Sequence, residues 1–260
     1  MEQTCEIEIM EPQPSQATVA YFNAKAIDWT LSCQENPDYQ EQLKKVLAWV
    51  AAYPPQTQVL DFGCGSGVLL KVLSAANFKL TGVDISPRMI DEARRNLATV
   101  PQNERARLFE VNGKFEGPHT DQCYEGIFCL NVLEYVEDYQ ALLNHLCALL
   151  KPGGFLMLSF PNRESMLRGA EDWVHRNAGM FRPFGILPNV TGPDNYLQYQ
   201  RHQFTIEEIE EVLEPLEMSV KRTHYHMAPQ LMKKMENSPN MGMNIVTEWV
   251  KAHPDPHFRR

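Results

Sequence analysis

Short apolar segments alternate with helical patterns through the middle of the chain. Five segments have the length and apolar content of buried strands, at residues 58–62, 79–84, 107–112, 124–130 and 155–160. Helical periodicity fills three of the gaps between them, at residues 67–76, 86–97 and 139–150. Apolar strands that alternate with helices are typical of βαβ units, which form a mostly parallel sheet with helices on both faces. The pattern therefore predicts an α/β fold with a doubly wound sheet.

The two ends of the chain follow other patterns. Residues 1–17 form a loose acidic leader, and residues 38–52 have helical spacing that ends at Pro54 and Pro55. Residues 161–200 are rich in proline and aromatic residues and predict an irregular lid. Thr205 and Glu208 form a capping-box pattern that opens a helix at 205–216, and two further strands follow at 219–226 and 244–250.

These patterns predict one domain with additions. Four parts follow in order along the chain: a leader and covering segment at 1–37, a core at 38–160, a substrate lid at 161–204, and a last helix and strands at 205–260.

Composition and charge argue against a nucleic-acid partner and against a membrane span. The chain has 260 residues, a net charge of −9 and a pI of about 5.4. Nucleic-acid binding draws on clustered Lys and Arg, whereas the basic runs here are no longer than pairs, so we expect no nucleic-acid partner. No apolar stretch is long enough to span a bilayer, and the first residues lack the basic start and apolar core of a signal peptide.

The cysteines point to a reducing compartment. There are six, none of them in a C-x-x-C pair, and several lie inside apolar runs. Free thiols in such positions pack as small apolar side chains. We therefore expect a cytoplasmic protein with neither a disulfide framework nor a zinc cage.

A glycine-rich turn is the most informative motif. The strand at 58–62 runs into D-x-G-x-G-x-G, which begins at Asp61 and contains Gly63, Gly65 and Gly67. Dinucleotide-binding enzymes instead use G-x-G-x-x-G/A, which would require glycine or alanine where Val68 stands. Asp84 ends the second strand, where a carboxylate can accept hydrogen bonds from both hydroxyls of a ribose. The alternative is a structural turn that binds nothing, and the acidic residue at the ribose position counts against it.

The residues VLDFGCGSG and LTGVDISPRMIDEAR, which start at Val59 and Leu80, resemble the class I S-adenosylmethionine-dependent methyltransferases. They look closest to the small-molecule branch that includes the ubiquinone and magnesium-protoporphyrin O-methyltransferases, and YFNAKAIDW at 21–29 is similar to the N-terminal segment of that branch. The resemblance implies a seven-stranded, mostly parallel, Rossmann-like sheet with a helical N-terminal segment and a lid inserted after the fifth strand. It also implies S-adenosylmethionine as the cofactor.

The resemblance further implies a set of cofactor-binding residues. The methionine end would lie against the glycine turn, the ribose and adenine would follow the second and third strands, and the sulfonium would face the end of the fourth. The residues at the methionine end are Asp61, Gly63, Cys64, Gly65 and Gly67, and those at the ribose and adenine are Asp84, Ile85, Met89, Asn112 and Gly113. Leu130 and Asn131 would face the sulfonium, and Tyr21 and Phe22 would cover the cofactor.

Two positions depart from the family pattern. After the third strand the family often has an acid that binds the adenine amino group, and this chain has Asn112, whose amide oxygen is the substitute. After the fourth strand small-molecule members often read E-H-V, and this chain reads Glu134-Tyr135-Val136. A histidine base at that position is therefore absent.

The acceptor side offers three candidates for a catalytic base. Methyl transfer from a sulfonium needs an acceptor held on the displacement axis, and a nearby base helps an O or N acceptor to lose its proton. Tyr135, His202 and His224 are the candidates, and the alternative for each is an ordinary polar residue satisfied by a hydrogen bond. His224 and His226 share one face of a predicted strand, but no carboxylate or cysteine stands at a spacing that would complete a metal site, so we expect no metal.

The sequence thus predicts methyl transfer to an O, N or C atom of a small molecule by a monomer or a homodimer. The alternatives are a protein or nucleic-acid methyltransferase, a nicotinamide oxidoreductase, and a catalytically silent subunit that binds S-adenosylmethionine. The segment LNVLEY after the fourth strand lacks the N/D-P-P-Y motif of enzymes that modify amino groups, and Val68 counts against the oxidoreductase. The silent subunit stays open, because a fold does not fix an activity.

Overall fold

The computed structural model describes residues 16–111, 124–185, 196–226 and 241–254. It contains seven strands in one sheet. The strands are β1 (Gln58–Phe62), β2 (Lys79–Asp84), β3 (Arg107–Glu110), β4 (Tyr124–Leu130), β5 (Leu150–Pro161), β6 (Met218–His226) and β7 (Asn244–Lys251). The helices are α1 (Gln16–Glu35), α2 (Pro37–Val50), α3 (Val68–Ala75), α4 (Pro87–Asn96), α5 (Tyr139–Leu149), α6 (Met166–Arg176), α7 (Ala178–Phe181) and α8 (Ile206–Leu213).

The strand order is β3-β2-β1-β4-β5-β7-β6. The first five strands are parallel, β7 runs antiparallel to β5, and β6 runs antiparallel to β7. The chain winds in one direction from β1 to β3 and in the other from β4 onward, so the order reverses between β1 and β4. This is the topological switch point at which open α/β sheets bind ligands, outside the carboxyl ends of the strands.

Two apolar layers cover the sheet. On one face Phe128 and Phe155 pack against α2 and α3, and on the other Trp249 and Phe160 pack against α5 and α8. All four side chains are fully buried. The predicted α/β fold with a seven-stranded, mostly parallel sheet is confirmed.

Several predicted elements differ from the observed ones in extent. Strands β1, β2 and β4 have the predicted bounds, whereas β5 begins five residues early, at Leu150. The helical N-terminal segment that the resemblance implied is confirmed as α1. Its bounds could not be predicted from the hydrophobic pattern, because only Thr18, Ala26 and Cys33 of its residues are buried and it has no continuous apolar stripe. Within the stretch predicted to be irregular, α6 and α7 are helical, and the Ser165 side chain caps α6 by accepting a hydrogen bond from the Arg168 N–H.

The predicted helix starts are confirmed. Ser86 caps α4 by accepting from the Met89 N–H at 3.1 Å, with Pro87 at the first helical position. Thr205 and Glu208 form the expected capping box at α8. In the described parts of the chain, no helix combines the length and the apolar character that a membrane span requires.

Candidate cofactor cavity and acceptor site

A cavity opens at the carboxyl ends of β1, β2 and β4, at the topological switch point. Its floor is the glycine turn between β1 and α3, and its cover is α1. Thr18, Phe22 and Trp29 line it from α1, Tyr39 from α2, and Val136, Ala141 and His145 from the segment around α5. The cavity therefore joins the carboxyl edge of the sheet to the helices on both sides.

The glycine turn is shaped by its neighbours as well as by its backbone angles. Gly63, Gly65 and Gly67 all have positive φ, at 77°, 52° and 75°. The Gly63 and Cys64 N–H groups donate to the Val83 carbonyl at 2.8 and 2.9 Å, which ties the turn to β2. A Cβ at position 63 would lie 2.3 Å from Cγ2 of Val132, a residue of the segment after β4.

Asp84 is held rigidly at the end of β2. Its Oδ1 accepts from the Ser86 N–H at 2.8 Å and its Oδ2 accepts from the Gly65 N–H at 2.9 Å. Burial raises the pKa of this carboxyl to about 6, although the backbone hydrogen bonds lower it. A carboxylate has about four lone-pair sites, so this one can still accept a hydrogen bond from a ligand hydroxyl besides those from Gly65, Ser86 and Ile85.

A second buried carboxyl lines the same cavity. Asp61, at the end of β1, is 3% exposed. Burial raises its pKa to about 7, and the neighbouring Asp84 raises it further. Two carboxyls in one apolar cavity favour a ligand that carries positive charge or donates hydrogen bonds.

Asn131 is fixed by a closed set of hydrogen bonds. Its backbone lies in the left-handed region, with φ at 56°, directly after β4. Ser159 Oγ donates to Asn131 Oδ1 at 3.0 Å and accepts from Gln42 Nε2 at 2.7 Å, and Asn131 Nδ2 donates to Gln42 Oε1 at 3.2 Å. Because Gln42 and Ser159 are buried, the network presents one orientation of Asn131 to the cavity.

Helix α1 closes over the glycine turn. Asn23 Oδ1 accepts from the Ser86 hydroxyl at 2.7 Å, and the Thr30 hydroxyl donates to Ser66 Oγ at 2.8 Å. The Trp29 indole nitrogen lies 3.1 Å from the place where a Cβ of Gly65 would be. The cover and the turn are thus closely packed, and a larger residue at position 65 would require the Trp29 side chain to shift.

Most of the residues that sequence analysis assigned to the cofactor lie around this cavity. Those that line it are Phe22, Asp61, Gly63, Cys64, Gly65, Asp84, Ile85, Met89, Leu130 and Asn131. Gly67 instead packs against Ala93 of α4, and Tyr21 packs its ring on Tyr199 with centroids 4.4 Å apart. Asn112 and Gly113 lie outside the described residues.

The three candidate bases are placed differently. Tyr135 lines the cavity, and its ring makes an edge contact with Phe22 at 5.2 Å. His202 does not line it: its Nε2 lies 3.2 Å from the Glu137 carbonyl, and its ring packs beside Tyr139. His224 does not line it either.

The His224 side chain lies on β6, which is the edge strand and is separated from β4 by β5 and β7. Its ring stacks on that of His226 with centroids 6.2 Å apart, and burial together with the nearby Lys45 lowers its pKa to about 4. Among the described residues no group of three His, Cys, Asp or Glu is arranged to hold a metal ion.

Two residues near the acceptor side were not selected from the sequence. Tyr39 lines the cavity from α2, and burial raises the pKa of its hydroxyl well above the usual value. Glu134 is 3% exposed in the short helical turn after β4. Tyr39 follows ordinary helical spacing, and Glu134 was read only as part of a motif, so neither had a signal of its own.

Comparisons with known proteins agree with this geometry. A family model described as a methyltransferase domain matches residues 34–227. The ubiquinone biosynthesis O-methyltransferase of Coxiella burnetii is 31% identical over 143 residues, which cover 55% of this chain and 57% of that protein. The mitochondrial ubiquinone biosynthesis O-methyltransferase of Schizosaccharomyces pombe is 32% identical over 111 residues, which cover 43% of this chain and 40% of that protein. The chain thus spans about half the length of these curated relatives.

A solved structure shares the whole fold. The magnesium protoporphyrin IX methyltransferase of Synechocystis PCC 6803, crystallised with S-adenosylhomocysteine, superposes with a TM-score of 0.67 over 92% of this chain and 100% of that one, at 21% identity. The family model covers about three quarters of the chain, from the last two residues of α1 to just beyond β6. The chain therefore belongs to the methyltransferase domain family.

Proposed function

We propose that this protein transfers a methyl group from S-adenosylmethionine to an oxygen atom of a small-molecule acceptor. The observation that carries the proposal is the position of Asp84, whose two oxygens are fixed by the Ser86 and Gly65 N–H groups at the edge of the cavity. A carboxylate held in this way suits the two hydroxyls of a ribose. The turn that it fixes consists of glycines with positive φ, and the absence of side chains there suits the close approach of a ligand to the backbone.

The residues of the cavity fit the rest of that cofactor. Asp61 supplies a buried carboxyl beside the glycine turn, where it would face the charged methionine end of the ligand. Ile85 and Met89 supply apolar surface at the end of β2, which suits a purine ring. S-adenosylmethionine supplies an already activated methyl group when it is bound. The protein's own task is to orient the acceptor and to exclude water.

Two observations support the proposed acceptor. Helix α1 covers the cavity with Phe22 and Trp29, and Tyr135 borders it beyond Asn131. These aromatic side chains suit a flat, largely apolar acceptor. The two curated relatives described above are named as O-methyltransferases, which supports oxygen as the methylated atom.

The test is transfer of an isotopically labelled methyl group from S-adenosylmethionine to a panel of catechols. We expect the wild type to label at least one member of the panel. We also expect Asp84→Asn to weaken cofactor binding about 10- to 100-fold, because hydrogen bonds to a charged group contribute about 1.5–3 kcal/mol. Asp91→Asn is the matched control, since that carboxylate lies on the outer face of α4 in an exposed ion pair with Arg94. Equal cofactor affinity in the two variants would contradict the proposed site.

We also propose a reducing compartment such as the cytoplasm. Among the described residues Cys33, Cys64, Cys129 and Cys147 are buried free thiols, and burial raises the pKa of each. Such thiols are protonated and inert at neutral pH, which is consistent with a structural role. A monomer or a homodimer remains the prediction for the assembly, and sedimentation equilibrium would distinguish the two.

A further inference from the structure

The cavity offers a ligand almost no positive charge. Among the described residues that line it there is no Lys or Arg, and His145 is the one basic side chain. Lys25, on the covering helix α1, does not line the cavity, and its Nζ lies over the Tyr21 ring at 5.8 Å from the centroid. The methionine end of S-adenosylmethionine carries an ammonium and a carboxylate. Asp61 suits the ammonium, so the carboxylate must be bound by other groups.

His145 belongs to the other end of the cavity. It follows Leu142 by about one turn of α5, and Leu142 packs in the same apolar cluster as Ile85 and Val111. Ile85 and Val111 stand directly beyond the ends of β2 and β3, where the purine of the proposed cofactor would lie. His145 is therefore assigned to the purine end and not to the methionine end.

The glycine turn itself has few N–H groups to offer an anion. The Gly63 and Cys64 N–H groups both donate to the Val83 carbonyl, and the Gly65 N–H donates to Asp84. These three donors are engaged within the protein. Donors for a carboxylate must therefore come from the side chains around the turn.

The indole of Trp29 is one such donor. Trp29 lines the cavity from α1, and its Nε1 lies over the turn, 3.1 Å from the place where a Cβ of Gly65 would be. An edge contact with Phe22, with ring centroids 5.7 Å apart, supports this orientation of the ring. No described residue accepts a hydrogen bond from Nε1. An indole N–H in such a place usually has a partner, so this one calls for a ligand.

The hydroxyl of Tyr39 is a second donor, and it lies on the side of Asp61. Asn36 caps α2 and accepts from the Tyr39 N–H at 3.3 Å, which holds the first turn of the helix. No hydrogen bond joins the hydroxyl to Asp61 or to another described residue. Burial raises the pKa of this hydroxyl well above its usual value, and the nearby Cys33 and Asp61 raise it further. It therefore stays protonated and can donate.

An acceptor and two donors thus face the same end of the cavity. Asp61 is 3% exposed, lines the cavity, and accepts no hydrogen bond from a described residue. From this arrangement we infer that the Trp29 indole N–H and the Tyr39 hydroxyl bind the carboxylate of the methionine end, beside the ammonium on Asp61. The inference rests on the proposed function and adds to it the residues that recognise one group of the cofactor. Neutral donors suit this place, because a Lys or Arg would form an ion pair with Asp61 and take the position of the ammonium.

A pair of ligands that differ only in the carboxylate tests the inference. S-adenosylhomocysteine and its decarboxylated analogue share every other group, and calorimetric titration gives the Kd of each. Trp29→Phe and Tyr39→Phe each keep an aromatic ring and remove one donor. We expect each variant to weaken binding of S-adenosylhomocysteine about tenfold, because a hydrogen bond to a charged group is lost. Affinity for the decarboxylated analogue should change by less than about twofold, since that ligand never forms the bond.

Two control variants make the same changes outside the cavity. Trp173 is 56% exposed on α6, and Tyr139 packs on Phe204 with ring centroids 4.9 Å apart. Trp173→Phe and Tyr139→Phe should bind both ligands as the wild type does.

The outcomes separate this inference from the proposed function. Equal weakening of both ligands in Trp29→Phe or in Tyr39→Phe would overturn the assignment of that residue, because its effect would then not pass through the carboxylate. Unchanged affinity for both ligands would overturn it as well. Failure of the wild type to bind S-adenosylhomocysteine at all would instead overturn the proposed function itself.

Discussion

At position 63 both the backbone and a neighbouring side chain exclude anything larger than glycine. Its φ of 77° is strained for other residues, and Val132 stands where a Cβ would be. We predict that Gly63→Ala lowers the free energy of unfolding by about 1–3 kcal/mol, measured by urea denaturation. Gly169→Ala is the control, since it lies in α6 with nothing within 4 Å of its Cβ position, and it should be neutral or slightly stabilising. An equal decrease in the free energy of unfolding in both variants would show that the turn at Gly63 is not constrained.

The two cavity carboxyls predict how cofactor affinity depends on pH. Their pKa values, about 7 for Asp61 and about 6 for Asp84, are raised above the usual values, so both become protonated as the pH falls through that range. S-adenosylmethionine requires the ionised forms, because it carries positive charge and donates through its ribose hydroxyls. We therefore predict that its affinity is nearly constant above about pH 7.5, falls by about tenfold per pH unit between about pH 7 and pH 6, and falls by about a hundredfold per pH unit once the pH is well below 6.

Calorimetric titration at a series of pH values checks this dependence. Asp84→Asn should reduce the slope, because one of the two titrating groups is removed. An affinity that is flat between pH 5 and pH 8 in the wild type would contradict the assignment of these carboxyls to the cofactor.

Asp84 and Glu134 show what could and could not be predicted for single residues. Asp84 was found from the sequence because it ends a strand at a fixed distance from a glycine turn. Glu134 was not singled out, because its burial depends on elements from distant parts of the chain, such as α6, which brings Arg168 near it. For the same reason the sequence could not separate Tyr135 from His202 and His224, since only the fold decides which of them lines the cavity.

Among the elements, α1 has the clearest mechanical role, because it covers the cavity and is attached at its edges by hydrogen bonds. Asn96, the last residue of α4, donates to Thr30 Oγ1 at 2.7 Å and to the Ser66 carbonyl at 2.8 Å. We predict that Asn96→Ala speeds amide hydrogen exchange in α1 about 5- to 10-fold, since a net hydrogen bond contributes about 1 kcal/mol. The rate constant for cofactor dissociation should increase by the same factor.

Asn144→Ala is the control for this prediction. Asn144 lies exposed on α5 and bonds only within its own helix, to the Gln140 carbonyl among the described contacts. Removing the Asn144 side-chain amide should leave amide hydrogen exchange in α1 unchanged. If Asn96→Ala also leaves that exchange unchanged, α1 is held by other contacts and is not the gate for the cofactor.

The sequence predicted those elements whose start and stop signals are local. The caps at Ser86 and Thr205 and the strands β1, β2 and β4 have strong local patterns, and the structure confirms them. The resemblance predicted a helical N-terminal segment, but the hydrophobic pattern could not give the bounds of α1, because this helix docks on the glycine turn and has no apolar stripe. Helix α6 was missed because its buried residue is the charged Arg168, which hydrogen bonds to Tyr196 and Asn244 on other elements.

For the whole molecule, the doubly wound order places the ends of β1, β2 and β4 around one cavity. That arrangement follows from the alternation of strands and helices together with the right-handed crossover rule. The fold by itself supports many chemistries, so the activity depends on the cavity rather than on the architecture. The partition into a core, a lid at 161–204 and a C-terminal part remains a prediction, because local patterns alone define its boundaries.

The central claim is that this cavity binds S-adenosylmethionine, and isothermal titration of the full chain tests it most directly. The account predicts saturable binding of S-adenosylmethionine at one site per chain and no measurable binding of NADH under the same conditions. Absence of binding by S-adenosylmethionine, or tighter binding of NADH, would contradict the account and leave only the α/β fold in place.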